Sequence, residues 1–254
     1  VVVAVIDTGF ELNHEDLTGK WAENAGEKGT TASGDRCWTG TPANKKTNNC
    51  DDDNNGYVDD WRGYDFVNDD NSVQAGETNP DGDSTQHGSM VAGVIGAIAN
   101  NGKGGVGVDQ QAKIMPLQVF DDDGNASTSY IVEAIDYATN NGAKVINLSL
   151  GTNVYDAPLR AAIGRARAAN VLVVAASGNC ALNDQLICNA LAAPGRMTWP
   201  ALYPEVLAVG ATTSNGQRAS FSSYGNELDI VAPGQSVGPL PVFMSTGALN
   251  FYAT

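Results

Sequence analysis

The chain opens with Val1-Val2-Val3-Ala4-Val5-Ile6-Asp7-Thr8-Gly9, an unbroken apolar run that ends in a carboxylate and a glycine. An apolar run without alternation is typical of a strand that is buried on both faces, as in a parallel sheet. Similar runs recur at residues 114–120, 145–150, 171–176 and 206–209. Apolar residues at helical spacing lie between them, at residues 90–98, 131–138 and 159–166. This alternation predicts an α/β fold, with a mostly parallel central sheet and helices on both faces.

The starts of the predicted helices carry residues suited to those positions. The Ser/Thr group at residues 127–129 can cap one helix, and Asp156 precedes Pro158 at the start of another. A third helix begins directly after His87. No Pro-, Ser- or Gly-rich linker divides the 254 residues, so we expect one domain over residues 1–254.

The composition excludes several classes of partner. The chain carries 14 Lys and Arg against 29 Asp and Glu, a formal net charge of -15. Binding to a nucleic-acid backbone requires clusters of Lys and Arg, so we expect no nucleic-acid partner and favour cations instead. No run of about 18 apolar residues occurs, which argues against a membrane-spanning segment. We therefore expect a soluble protein.

The four cysteines fall into two local pairs, Cys37 with Cys50 and Cys180 with Cys188. Neither pair has the Cys-x-x-Cys spacing of a zinc or redox site. Two short-loop disulfides in a secreted, extracellular protein are the favoured interpretation. Four reduced thiols remain the alternative, because a sequence alone does not fix connectivity.

Three short segments place polar side chains at the ends of predicted strands or helices. Asp7 ends the first strand, His87 begins a helix in the segment His-Gly-Ser-Met-Val-Ala-Gly, and Asn179 follows a strand in Ser-Gly-Asn. Because parallel strands end at one edge of the sheet, we expect these side chains to converge there. Taken singly, Asp7 or His87 could equally be a capping residue. The second histidine, His14, lies in a polar turn with no apolar approach.

These motifs, in this order, resemble the subtilisin-like serine proteases (subtilases, peptidase family S8), in which Asp, His and Ser follow one another along the chain. The resemblance implies a subtilisin-like fold and a serine endopeptidase that hydrolyses peptide bonds. It implies that His87 is the general base and acid and that Asp7 orients its ring. It also implies that Asn179 donates its side-chain amide to the oxyanion.

The resemblance further implies two segments that bind an extended polypeptide substrate between them. Ser149, Leu150 and Gly151 match the strand beside the primary specificity pocket. Asn125, Ala126 and Ser127 match, less closely, the strand of the family that pairs with the substrate. Such a peptide would be bound through main-chain hydrogen bonds and side-chain pockets. Plain sheet and loop structure is the alternative explanation of both segments.

The nucleophile of the family is not in this sequence. Residues 231–234 (Val-Ala-Pro-Gly) and 251–254 (Phe-Tyr-Ala-Thr) resemble the run-up to the family's Gly-Thr-Ser-Met-Ala motif. We therefore expect the serine to lie beyond Thr254, the catalytic domain to be incomplete at both ends, and the chain as given to be inactive. The sequence also departs from the family pattern at Ser89 and Met90, where Thr and His are usual, and at Cys180.

Residues 26–85 form a long polar stretch rich in Asp, Asn and Gly, which we interpret as loop held by ions and a disulfide. Within it, residues 51–60 resemble the first half of a calcium loop. The candidate Ca²⁺ ligands are Asp51, Asp53, Asn55, Asp59 and Asp60. Arg62 stands where an EF-hand needs its closing Glu, so this is no EF-hand. A solvated acidic loop is the alternative. Asp16 and Asn101 weakly match a second calcium site of the family.

Two other functions fit part of the sequence. Asp7-Thr8-Gly9 is also the signature of aspartic proteases, but those enzymes need two such carboxylates, are all-β proteins, and would leave His87 and Asn179 unexplained. A non-catalytic, calcium-stabilised peptide-binding pseudoprotease is the second alternative. A truncated active parent explains the chain better, because a pseudoenzyme would sooner replace the serine within an intact helix. We expect a monomer.

Overall fold

The computed structural model describes residues 1–75, 86–182, 188 and 196–235, together with the backbone of 242–246 and 249–253. Seven of the described strands form one sheet in the order β2-β3-β1-β4-β5-β6-β7, and every neighbouring pair is parallel. The strands are β1 (Val2–Asp7), β2 (Tyr64–Asp65), β3 (Lys113–Gln118), β4 (Val145–Leu148), β5 (Leu172–Ala176), β6 (Leu207–Thr212) and β7 (Ile230–Pro233). A separate antiparallel pair is made by β8 (Val242–Thr246) and β9 (Leu249–Ala253).

Three α-helices lie in the described part of the chain: α1 (His87–Gly96), α2 (Thr128–Asn140) and α3 (Ala157–Ala168). Their starts follow the capping residues in the sequence. The Ser127 hydroxyl accepts a hydrogen bond from the Ser129 backbone N–H, and Asp156 Oδ1 accepts one from Leu159 N at 2.7 Å. No described helix is long and apolar enough to cross a membrane.

The sheet is covered on both faces, as the sequence predicts. Along β1, Ala4 and Ile6 belong to the core cluster that includes the buried faces of α2 and α3, whereas Val5 belongs to a second cluster with Ala92 of α1. Since successive side chains of a strand point to opposite faces, this division places the helices on both sides. The predicted α/β class with a mostly parallel sheet is confirmed.

The long polar stretch contains more ordered structure than a loop held by ions and a disulfide. Its strand β2 pairs with β3, and Tyr64 and Phe66 are buried in the core. Together with Tyr57 and Tyr137 they form edge-to-face ring contacts, with centroids 4.8–5.9 Å apart. The stretch is therefore mostly loop and carries its expected disulfide, but aromatic burial, which the sequence analysis missed, also anchors it. Residues 76–85 of this stretch lie outside the described residues.

Both cysteine pairs are disulfides. Cys37 joins Cys50 with a Cα–Cα distance of 6.0 Å, and Cys180 joins Cys188 at 5.2 Å. The alternative of four reduced thiols is therefore wrong. The first bridge closes the loop of residues 37–50 directly before the acidic loop of residues 51–60, and the second begins directly after Asn179.

Candidate active site

Asp7 and His87 are in direct contact. Asp7 Oδ1 lies 2.7 Å from His87 Nδ1, although 80 residues separate them in sequence. The Asp7 side chain is 2% exposed and that of His87 is 43% exposed. The same Oδ1 accepts a hydrogen bond from the Thr8 backbone N–H at 2.7 Å. A buried carboxylate thus contacts and orients a ring that is itself partly exposed.

Two hydrogen bonds and a close backbone approach fix the start of α1 against the segment that follows β1. Thr8 Oγ1 accepts a hydrogen bond from Gly88 N at 2.9 Å, and Ser89 Oγ accepts one from Glu11 N at 2.6 Å. A Cβ atom added to Gly88 would lie 2.8 Å from the Thr8 carbonyl oxygen, so only glycine allows this approach. Glycine at this position therefore lets helix and strand meet closely enough for the contact between Asp7 and His87.

Asn179 lies at the same edge of the sheet. It follows β5, which is separated from β1 by β4 alone, and all three strands run parallel. Asn179 is exposed, while its neighbours Ser177 and Cys180 are buried. Gly178 has φ of 103°, a left-handed conformation that glycine adopts readily. The turn thus presents the Asn179 side chain to solvent.

The two segments expected to bind substrate lie beside these strands. Asn125, Ala126 and Ser127 are all exposed and lead into α2. Ser149, Leu150 and Gly151 follow β4, are half-buried to exposed, and run on to Thr152, which pairs with Trp199 through two backbone hydrogen bonds of 2.8 and 2.9 Å.

A Cβ at Gly151 would lie 2.5 Å from Thr198 Oγ1. Thr198 therefore lies against the segment of residues 149–151. It is a residue that sequence reasoning did not single out.

The acidic loop (residues 51–60) and Glu27 together form a carboxylate cluster that differs in part from the expected one. Glu27, Asp53 and Asp60 each offer an oxygen, and these oxygens lie within 4.8 Å of one another. Glu27 and Asp60 are fully buried. Burial raises the pKa of Glu27 to about 7 against the opposing effect of hydrogen bonds from Asp52 N and Asp53 N. Burial likewise raises the pKa of Asp60.

The other expected calcium ligands have different partners. Asp51 accepts hydrogen bonds from the backbone N–H groups of Asn55 and Gly56, and Asp59 accepts them from residues 48 and 49. Asn55 donates its side-chain amide to Asp60 Oδ2 at 2.8 Å. These side chains fold the loop around the cluster of Glu27, Asp53 and Asp60. At the second calcium site, which the sequence matches only weakly, the Asn101 side-chain amide donates a hydrogen bond to Asp16 Oδ1.

Glu27 is the residue of this cluster that sequence reasoning missed. Its Oε1 accepts hydrogen bonds from Asp52 N at 2.7 Å and Asp53 N at 3.2 Å, while its Oε2 is buried without a protein partner. The adjacent Gly26 makes room for this contact, because a Cβ there would lie 2.4 Å from the Asp53 side chain. Glycine at position 26 lets the backbone before Glu27 lie against the Asp53 side chain.

His14 differs from its expected setting in an open polar turn. It is 2% exposed, and its Nδ1 accepts a hydrogen bond from Asp16 N at 3.1 Å, which caps the short 3₁₀ helix Glu15–Leu17. Burial lowers the pKa of His14. The second histidine is therefore a neutral, structural residue.

A model of the subtilase family matches residues 1–252 of the chain. The chain belongs to the subtilase family. Subtilisin NAT of Bacillus subtilis subsp. natto is 39% identical to this subtilase over 161 residues, 63% of this chain and 40% of that protein. Subtilisin Savinase of Lederbergia lenta is 43% identical over 155 residues, 61% of this chain and 53% of that protein.

The fold has a matching solved structure. The crystal structure of a cold adapted subtilisin-like serine proteinase superposes on this subtilase with a TM-score of 0.59 at 27% identity, covering 92% of this chain and 62% of that one. The subtilase chain spans about half the length, or less, of the curated relatives it matches.

Proposed function

We propose that this chain is the greater part of the catalytic domain of a serine endopeptidase, with His87 as the general base and acid of its triad and Asp7 as the residue that orients it. The observation that carries the proposal is the 2.7 Å contact between Asp7 Oδ1 and His87 Nδ1, formed between a buried carboxylate and a partly exposed ring. An aspartic protease mechanism finds no support, because the fold is α/β rather than all-β.

In the proposed mechanism, Asp7 holds the proton of His87 on Nδ1, which leaves Nε2 to act on the nucleophile. The serine oxygen attacks the carbonyl carbon of the peptide, and its proton passes to Nε2. His87 then gives this proton to the leaving amine nitrogen, and water repeats the sequence on the acyl-enzyme. Asn179 would donate its amide to the oxyanion, a contribution of about 10²–10³-fold in kcat, a magnitude measured in subtilisin itself.

The proposed nucleophile is the serine of the family's Gly-Thr-Ser-Met-Ala motif, placed beyond Thr254. Under this proposal the 254-residue chain binds peptides without hydrolysing them. The substrate is an extended polypeptide held between residues 125–127 and 149–151. A pseudoprotease that binds peptides without any nucleophile is the competing function, and the two differ in the residues that come after Thr254.

We propose Ca²⁺ as a stabilising ion of the acidic loop. The donor set supports this, because Glu27, Asp53 and Asp60 supply hard oxygen ligands and the buried Glu27 Oε2 has no protein partner. Without a cation, buried carboxylates so close together repel one another. Glu27, Asp53 and Asp60 would hold the ion, with Asp51, Asn55 and Asp59 shaping the loop or contributing further oxygens.

A secreted, extracellular and monomeric enzyme fits these proposals. The two disulfides require an oxidising compartment to persist. An exterior medium also supplies the calcium that the acidic loop would bind.

The catalytic proposal is tested in the full-length protein that carries this chain. Asp7→Asn should lower kcat about 10⁴-fold, because the amide stabilises the wrong tautomer of the histidine. Asp65→Asn is the matched control, since Asp65 is equally buried at the end of β2 but its side chain, among the described residues, bonds to Val67 and Asn68 of its own turn. An active protein in which both substitutions have the same small effect on kcat would refute the triad.

The calcium proposal is tested by thermal unfolding of the 254-residue chain. An ion present at 100 times its Kd stabilises the folded state by about 2.7 kcal/mol. For a chain of this size that corresponds to about 5–11 °C in Tm. Asp53→Asn should remove most of the shift, while Asp122→Asn, at an exposed aspartate of another loop, should leave it unchanged. An unchanged Tm on adding chelator would exclude the ion.

A further inference from the structure

Ser223 contacts the loop that carries Asn179 on both sides of that residue. Its backbone N–H donates to the Gly178 carbonyl oxygen at 2.8 Å, and its Oγ accepts a hydrogen bond from the Cys180 backbone N–H at 3.0 Å. Asn179 therefore lies between two residues that are bonded to the same serine. One step further along, Ala181 N donates to a carbonyl oxygen of the same partner segment, that of Phe221, at 3.1 Å.

Ser223 is itself held in place. It is fully buried, and its carbonyl oxygen accepts hydrogen bonds from the hydroxyls of Ser177 at 3.3 Å and Ser222 at 3.2 Å. Ser222 in turn accepts a hydrogen bond from the backbone N–H of Ala211 in β6 at 2.9 Å. The serine is thus tied to the central sheet on one side and to the Asn179 loop on the other.

The backbone beside Asn179 passes close to this serine. A Cβ added to Gly178 would lie 3.2 Å from Ser223 Oγ and 2.9 Å from Thr198 Oγ1. Cys180, on the other side, is 1% exposed, so its backbone N–H has no access to water if Ser223 Oγ is removed. A buried N–H without an acceptor is costly, and the peptide between Asn179 and Cys180 would rotate to find another partner.

We infer from this geometry that Ser223 is a positioning residue, which fixes the direction in which Asn179 presents its amide. The inference rests on the proposed function, in which that amide stabilises the oxyanion. A donor of this kind is effective only when it is already aimed at the place where charge develops. The hydroxyl of Ser223 and its backbone N–H hold the backbone on both sides of Asn179 and so fix that direction.

A positioning role predicts a selective kinetic effect in the full-length protein. Ser223→Ala should lower kcat about 10–100-fold, part of the 10²–10³-fold that a complete donor supplies, with KM changed little. In the Asn179→Ala background the same substitution should change kcat less than about twofold, because residues acting through one group are not additive. Ser220→Ala is the control: this serine lies on the same segment, is exposed, and should have a small effect on kcat in both backgrounds.

A measurement on the 254-residue chain tests the same role without catalysis. Amide hydrogen exchange at Cys180 should accelerate about 2–10-fold in Ser223→Ala, the effect of losing one hydrogen bond, and remain unchanged in Ser220→Ala. If the alanine variant does not fold, Ser223→Cys keeps the volume, replaces the oxygen by a weak acceptor and should give the same result.

The outcomes distinguish a failure of the positioning role from a failure of the proposed function. A full-length protein that is inactive with Ser223 and Asn179 intact would contradict the proposed function. An active protein in which the losses from Ser223→Ala and Asn179→Ala multiply, or in which Cys180 exchange is unaffected, would overturn the positioning role alone.

Discussion

Substituting Gly88 by alanine should disturb the candidate active site through the backbone. A Cβ at this position would lie 2.8 Å from the Thr8 carbonyl oxygen, 3.0 Å from that of Gly9 and 2.9 Å from Phe10 Cε1. None of these can yield easily, since two are backbone atoms and the Phe10 ring is fully buried. The start of α1 must therefore move away, and His87 moves with it. Overpacking of this kind costs about 1–3 kcal/mol.

For a chain of this size, that cost corresponds to a decrease in Tm of about 2–12 °C. The Asp7 carboxylate stays with Thr8 N, so the contact between Asp7 and His87 should lengthen from 2.7 Å towards about 3.2 Å, the limit of a good hydrogen bond. Calorimetry gives the stability, and the NMR signal of the His87 Nδ1 proton reports the contact. That proton signal should move upfield as the hydrogen bond weakens.

Gly96→Ala is the matched control in the same helix. A Cβ there meets first the end of a flexible side chain, Ile114 Cδ1, at 3.3 Å. Because alanine is also the better helix former, by up to about 1 kcal/mol, this variant should keep or slightly raise the Tm and leave the proton signal unchanged. The reasoning is refuted if Gly88→Ala has the Tm and the proton signal of the parent, or if both glycine variants behave alike.

Three further changes have expected costs that thermal unfolding can measure. Tyr137→Phe removes a buried hydroxyl that donates to Asp60 Oδ2 at 2.5 Å and should cost about 1.5–3 kcal/mol; an unchanged Tm would show that the remaining donors satisfy Asp60. Asp156→Ala removes the cap of α3 and should cost about 1 kcal/mol, whereas Asp156→Asn should restore most of it. Replacing Cys37 and Cys50 together by serine opens a loop with a sequence separation of 13 and should cost about 3 kcal/mol; equal stability with and without reductant in the parent would contradict this.

The sequence predicts the central strands closely because they are buried on both faces. The apolar run expected at residues 145–150 is observed as β4, and that at residues 171–176 as β5. Strand β2 has no such signal. Its two residues, Tyr64 and Asp65, lie in a polar stretch, and only their pairing with Leu117 and Gln118 of β3 makes them a strand.

The residues of the candidate sites likewise include some that the sequence predicts and one that it does not. Asp7, His87 and Asn179 could be singled out because each lies in a recognisable motif at the end of a predicted element. Glu27 could not, since it is 26 residues from Asp53 and the two meet only through the folding of the loop. A contact between residues so far apart leaves no local periodic pattern in a sequence.

The 80-residue separation of Asp7 and His87 has a consequence for folding. Bringing together two points that far apart costs chain entropy of about 4 kcal/mol, before any constant term, if the intervening segment is disordered. Contacts of high sequence separation form late and slow the folding of a domain. Prior ordering of the segment that holds the disulfide and the buried aromatic rings would lower this cost before Asp7 and His87 meet. Formation of that single hydrogen bond would accordingly mark the completion of the N-terminal half during refolding.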